Sequence, residues 1–93
     1  MKRCLKIRIS GNVQSLSYRQ FIQKHAQTLN IEGTVQEDAQ EGVIVYTCGT
    51  VENLDKLIDA LYKGTAESHV KEIIAEPFIN EKNFRGVFRI IGD

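Results

Sequence analysis

The stretch "GNVQSLSYRQFIQKHAQTLNIEGTV", residues 11–35, decides the fold, because it passes from strand to loop to helix to strand. Just before it, Arg3 to Ser10 alternates strictly. Leu5, Ile7 and Ile9 fall on one face and Lys6 and Arg8 on the other, the pattern of a half-buried strand. After a loop over Gly11–Ser17, Phe21, Ile22, His25, Ala26 and Leu29 recur at helical spacing. That periodicity predicts a first helix over roughly 19–30. Ser17 with Gln20 three residues on fits a capping box, which puts the helix start against the loop. His25 lies on the apolar stripe and reads as a half-buried packing residue.

Outward from this stretch, "IEGTVQED" and "EGVIVYTCG" read as two β-branched strands joined by a short acidic turn around Ala39–Glu41. Leu54, Leu57, Ile58 and Leu61 mark a second amphipathic helix, capped by Thr50 and closed at Lys63-Gly64. "HVKEIIAEPF" and "FRGVFRII" are the last two strands, and Pro77 belongs at a strand end or sheet edge. The order βαββαβ plus a C-terminal strand predicts a single α+β domain over residues 1–93. Its architecture is a ferredoxin-like split β-α-β sandwich, an antiparallel sheet with two helices on one face. Right-handed crossovers set the third strand beside the first. The loop at 11–18 and the hairpin at 37–42 then share one end of the sheet. Cys4 approaches Cys48 at the other end, within reach of a disulfide. A reducing compartment would favour free thiols.

With 93 residues the chain has room for one core, and 42% apolar and 26% charged residues are ordinary for a soluble globular protein. Twelve basic and twelve acidic side chains cancel, which removes the global field a nucleic-acid binder would use. The basic start "MKRCLKIRIS" alternates and forms no apolar leader, and no run is long enough to span a bilayer. A cytoplasmic, monomeric protein without nucleic-acid or membrane partners is the expectation. Cys4, Cys48, His25 and His69 show no metal-ligand spacing, so no metal and no cofactor are expected.

The loop itself has a chemical reading. A loop running straight into a helix offers unpaired amide donors and the positive end of the helix dipole. Arg19, in the first helical turn, adds a planar fork that matches two oxygens of a phosphate or carboxylate. A small phosphorylated or anionic ligand is the partner this chemistry would take.

In register and without a gap, Gly11, Val13, Gln14, Tyr18, Arg19, Phe21, Ala26, Leu29, Gly33 and Val35 resemble the signature of the acylphosphatase family, G-x-V-Q-G-V-x-[FY]-R…A-x-x-L-G-L-x-G-x-V. The resemblance is strongest over residues 5–49 and extends weakly to "VFRI". It implies hydrolysis of the carboxyl–phosphate bond of small acyl phosphates without metal or cofactor. It also implies that backbone amides of Val13, Gln14, Ser15, Leu16, Ser17 and Tyr18, with Arg19, hold the phosphoryl group. An asparagine on the second strand would orient the attacking water.

Two departures stand out. The asparagine position falls on Glu37, or on Asp38 if counted back from Glu41-Gly42, and neither is an amide. Ionised glutamate only accepts hydrogen bonds, repels a phosphate dianion and can pair with Arg19 itself. As a general base for water it would have a different use. Ser15 and Ser17 replace loop glycines, and Ser15 would be strained if its position needed φ > 0. Impaired hydrolysis is therefore expected, with a non-catalytic anion-binding or protein-interaction module as the alternative. Ile44 and Tyr46 share the outer sheet face with Lys6 and Arg8, where an exposed apolar pair would mark a contact surface.

Overall fold

The computed structural model describes residues 2–40, 42–80 and 83–92. Its elements are β1 (Lys2–Asn12), α1 (Leu16–Thr28), β2 (Glu32–Asp38), β3 (Gly42–Thr50), α2 (Val51–Lys63), β4 (His69–Pro77) and β5 (Phe88–Ile91). They form one five-stranded sheet in the order β4-β1-β3-β2-β5. Glu41, which the sequence placed in the acidic turn, lies outside the described residues.

The alternation in β1 has the consequence the pattern implies. Ile7 and Ile9 are fully buried, together with Val35 of β2, Val43 and Val45 of β3 and Phe88 of β5. These side chains meet Tyr18, Ile22 and Ala26 of α1 and Leu54, Leu57 and Leu61 of α2, so both helices cover one face. At about 25 cal/mol per Å², burying each of these aliphatic side chains contributes roughly 1.5–3 kcal/mol, which makes the inner face the main source of stability. Thr50 caps α2, accepting from the Asn53 amide at 3.2 Å, and Gly64 ends it at φ 61°, a left-handed conformation that suits glycine.

Two expectations are corrected. The sheet is mixed, because β5 pairs parallel with β2, Gly33 opposite Phe88. The cause is topological. Pro77 at the end of β4 lies beside Leu5, at the end of the sheet where β2 also begins. A chain leaving β4 there and entering at the far edge must run in the same direction as β2. The second correction concerns α1, which starts at Leu16 with Ser15 as its N-cap; Ser17 sits inside the first turn. Ser15 is extended (φ −70°, ψ 146°) and its Oγ accepts from the Tyr18 amide at 3.2 Å. Either serine is chemically able to cap, and the capping-box signal at Gln20 favoured the wrong one. Because φ at Ser15 is negative, the serine carries no backbone strain there.

The residues at 78–80 and 83–87 cross from β4 to β5. The Phe78 amide donates to the Cys4 carbonyl, the Gly86 amide to Glu32 Oε2 at 2.9 Å, and the Gly33 amide to the Val87 carbonyl. The Phe78 ring meets Tyr46 edge-on with centroids 5.3 Å apart. Ile44 is not an exposed partner for Tyr46: register places it between Arg8 and Gln36, and it is 7% exposed.

β1 and β3 pair so that Cys4 stands directly opposite Cys48, with Cα atoms 4.1 Å apart, and the two sulfurs are bonded. The cross-link spans a sequence separation of 44 residues. Closing a loop of this size restricts the unfolded chain by up to about 4 kcal/mol. Reduction is therefore expected to lower the midpoint of thermal unfolding by on the order of 10 °C or more. Circular dichroism melts with and without reductant measure this, and the Cys4→Ala/Cys48→Ala protein should melt where the reduced wild type does.

Candidate active site

The site is built where β1 gives way to α1. A bulge between Ser10 and Gly11 turns the strand, and Gly11 takes φ 127° with the His69 carbonyl oxygen 2.2 Å from where a Cβ would sit. No larger residue fits that turn. Gln14 then fastens the loop from within: its Oε1 accepts from the Val13 amide at 3.2 Å and its Nε2 donates to the Gly11 carbonyl at 3.3 Å. The sequence pointed to Gln14 only for its backbone amide. Its side-chain clamp depends on a loop curvature that spacing does not disclose.

The helix start distributes its donors unevenly. The Tyr18 amide is engaged by both the carbonyl and the hydroxyl of Ser15, and the Val13 amide is engaged by Gln14. Leu16 and Ser17, the first two helical residues, have no intrahelical acceptor for their amides. The Ser17 hydroxyl lies 3.1 Å from that of Ser15. The cradle drawn over Val13–Tyr18 thus narrows to the amides at its centre, around Ser15, Leu16 and Ser17, with the Ser17 hydroxyl beside them. Tyr18 points the other way. It is fully buried, its hydroxyl donates to the Leu61 carbonyl at 3.1 Å, and desolvation pushes its pKa up to about 12.

Arg19 is the chemical centre. Its side chain is only 5% exposed, yet its Nε and Nη1 are buried with no hydrogen-bond partner. A buried guanidinium with idle donors is costly, and native proteins keep such groups where they have a task. Nη2 faces Glu37 Oε2 at 3.6 Å, an ion pair too long for a hydrogen bond. Glu37 is 37% exposed on its side chain, so the charge opposite Arg19 sits at the rim of the site. Between the two registers the sequence left open, the structure puts Glu37 against Arg19. Asp38 turns into the hairpin, where its Oδ1 accepts from the Gln40 amide at 2.8 Å.

Electrostatics follow from these distances. At 3.6 Å and an effective dielectric near 20, the Arg19–Glu37 attraction is ~4–5 kcal/mol before screening and desolvation. An anion entering beside Arg19 also meets repulsion from Glu37, which falls with its distance from the carboxylate. The carboxylate therefore cancels much of the field that the guanidinium and helix dipole supply. An anion approaching here would meet the Arg19 guanidinium and the central loop amides, with the Glu37 carboxylate beside them.

The other sequence-marked residues lie elsewhere. His25 packs against Phe21, ring centroids 4.4 Å apart, and His69 begins β4. The cystine lies at the opposite end of β1, well removed along the strand. Among the described residues no group of three or more His, Cys, Asp or Glu side chains is placed to hold a metal ion, and no helix is long and apolar enough to cross a membrane.

Comparison with known proteins agrees with this fold. The sequence profile of the Acylphosphatase family matches residues 5–90. The chain is 34% identical over 91 residues to an acylphosphatase of Clostridium acetobutylicum, covering 95% of this chain and 99% of that one. Its fold superposes on the structure of an acylphosphatase from Coxiella burnetii with a TM-score of 0.87 at 24% identity, covering 97% and 93% of the two chains. An acylphosphatase from Bacillus subtilis gives 0.85 at 22% identity, covering 99% and 100%.

Two outcomes follow from the helix start. Ser15→Ala should destabilise the protein by about 1 kcal/mol, and Ser17→Ala by clearly less, because only Ser15 caps; urea unfolding distinguishes them. Tyr18 is held neutral when folded, so its contribution is complete below pH 10 and is lost as pH rises towards 12. Alkaline denaturation of Tyr18→Phe should lack that part of the loss, about 2–3 kcal/mol.

Proposed function

The chain belongs to the acylphosphatase family, and from that premise we propose that it hydrolyses the carboxyl–phosphate bond of small acyl phosphates at the start of α1, at a rate restrained by Glu37. The observation that carries this reading is the buried Arg19 guanidinium with two unpartnered nitrogens at a helix start. In the proposed reaction, a phosphoryl group seats on Arg19 Nε and Nη1 and on the amides at the centre of the loop. Water attacks phosphorus in line as the bond from phosphorus to the acyl oxygen breaks. The acyl carboxylate leaves with the bonding pair, and orthophosphate forms with the proton lost by water. Guanidinium, helix dipole and fixed amides stabilise the charge on the equatorial oxygens, so preorganised electrostatics supply the acceleration. Glu37 is beside the phosphoryl flank, where it accepts a hydrogen bond from water but cannot donate one to it.

The same ion pair favours a second reading, a module that binds phosphate or another anion without turning it over. Here Arg19 and the loop grip the ligand while the Glu37 carboxylate leaves water unoriented.

Turnover of acetyl phosphate, followed by release of inorganic phosphate, separates the readings. Wild type is expected to exceed the uncatalysed rate, and Arg19→Ala should fall by at least 100-fold, the scale of one lost charge-stabilising donor set. Glu37→Asn should raise kcat/KM by roughly 10-fold or more, since it removes a repulsion of a few kcal/mol and supplies an amide. Hydrolysis at background in wild type, with saturable phosphate binding that Arg19→Ala abolishes, selects the binding module. A wild-type rate unchanged by Arg19→Ala refutes the site. Loss of activity in Glu37→Gln would assign Glu37 as general base.

A further inference from the structure

On the side of the sheet away from the helices, the crossing residues stand off the strands and leave a groove of ≈ 910 Å³. That volume is within the range of small-molecule sites, roughly 300–1,000 Å³. Its floor is the outward row Tyr46, Thr34 and Arg89 on β3, β2 and β5, continued by Gln36 and Ile91. Its wall is the crossing segment, which contributes Phe78, Phe84 and Arg85.

The lining has a definite chemical bias. Among the described residues its lining contains two arginines and no acidic side chain. Among the described residues neither Arg85 nor Arg89 is in an ion pair, although most of the protein's charge is balanced and its formal net charge is zero. Lys6, next along the row but outside the lining, holds its Nζ 5.7 Å from the Tyr46 ring centroid. The flat surfaces are Tyr46, set edge-on against Phe78, and Phe84. Gln36, Asn80 and Asn83 supply amide groups at the margin.

The Asn83–Gly86 end of the wall is held by hydrogen bonds. Arg85 is one of only two described non-glycine residues with positive φ, at 57°. Its amide is tied to Asn83 Oδ1 at 2.8 Å and the next amide, of Gly86, to Glu32 Oε2. Glu32 is in turn held by Lys2 Nζ at 2.6 Å, and these contacts keep its carboxyl below the usual range. A pinned loop presenting a guanidinium from a disfavoured backbone conformation is a preorganised binding wall.

We propose that this groove binds a small amphipathic anion, a flat apolar body carrying one phosphate or carboxylate, at a site separate from Arg19. The anion pairs with Arg85 and Arg89, and the apolar body lies against Tyr46, Phe78 and Phe84. Arg19 is buried on the opposite face, next to Glu37, so the two sites share β2 but no side chain.

The test is an amide chemical-shift titration of the full chain carrying Arg19→Ala, which silences the helix-start site. The probes are phenyl phosphate, benzoate, inorganic phosphate and benzyl alcohol. Saturable shifts at Thr34, Tyr46, Arg85 and Arg89 are expected with phenyl phosphate or benzoate, and the tighter of the two identifies the preferred anion. Inorganic phosphate and benzyl alcohol should each bind at least 10-fold more weakly, because each offers only half of the recognition. Adding Arg85→Gln and Arg89→Gln should weaken the aromatic anion at least 10-fold while leaving the thermal melt unchanged. Shifts confined to residues 13–19, no saturable shifts, or affinity indifferent to the two arginine substitutions would overturn the proposal. Because Arg19 is absent throughout, failure here leaves the hydrolase reading untouched.

Discussion

The antiparallel register of β1 against β3 is the constraint from which the rest of the molecule follows. Ile7 opposite Val45 and Ile9 opposite Val43 put four fully buried side chains on the helix face. A slip by one residue would move all of them to the outer face and expose the core. The same register brings Cys4 against Cys48 at one end of the sheet, and at the other it brings the Gly11–Ser15 loop alongside the β2–β3 hairpin. Arg19 meets Glu37 only because those two chain reversals share an end.

The helix start shows how one local choice shapes chemistry. With Ser15 as the cap, the Tyr18 amide is satisfied within the protein, and the donors left for an anion are those nearer the loop's centre. Tyr18 anchors the far side of the turn through its hydroxyl to Leu61, so α1 is fastened to α2 at its first turn. Arg19 follows directly and inherits that fixed position. Its burial makes each of its donors more effective in a low dielectric, and the Glu37 carboxylate more damaging for the same reason. An anion at this helix start would be drawn by Arg19 and opposed by Glu37.

Legibility followed the range of the forces involved. Strands, helices and the order of elements were readable because burial imposes periods of two and 3.6 residues along the chain, and Ile7/Ile9 or Leu54/Leu57/Leu61 carry those periods plainly. The cap was misread because Ser15 and Ser17 are chemically equivalent, and only the path of the loop chooses between them. The parallel entry of β5 was hidden because direction depends on where β4 ends. The crossing segment that covers part of the outer face is likewise a product of three-dimensional path, whereas the pairing of Asp38 with the Gln40 amide is a local turn.

By itself the sequence determined the element order, the inward face of β1 and the family, and it pointed to Arg19 as the candidate residue for gripping an anion. These rest on local periodicity and on side-chain chemistry, which need no knowledge of distant neighbours. The tertiary structure decided which serine caps α1, which acidic residue of the hairpin faces Arg19, and that two arginines without an ion pair among the described residues line one groove with three aromatic rings. The cap depends on the path of the loop, and the other two depend on residues far apart in the chain meeting at a distance of a few ångströms, a length over which electrostatic consequences change sign or vanish.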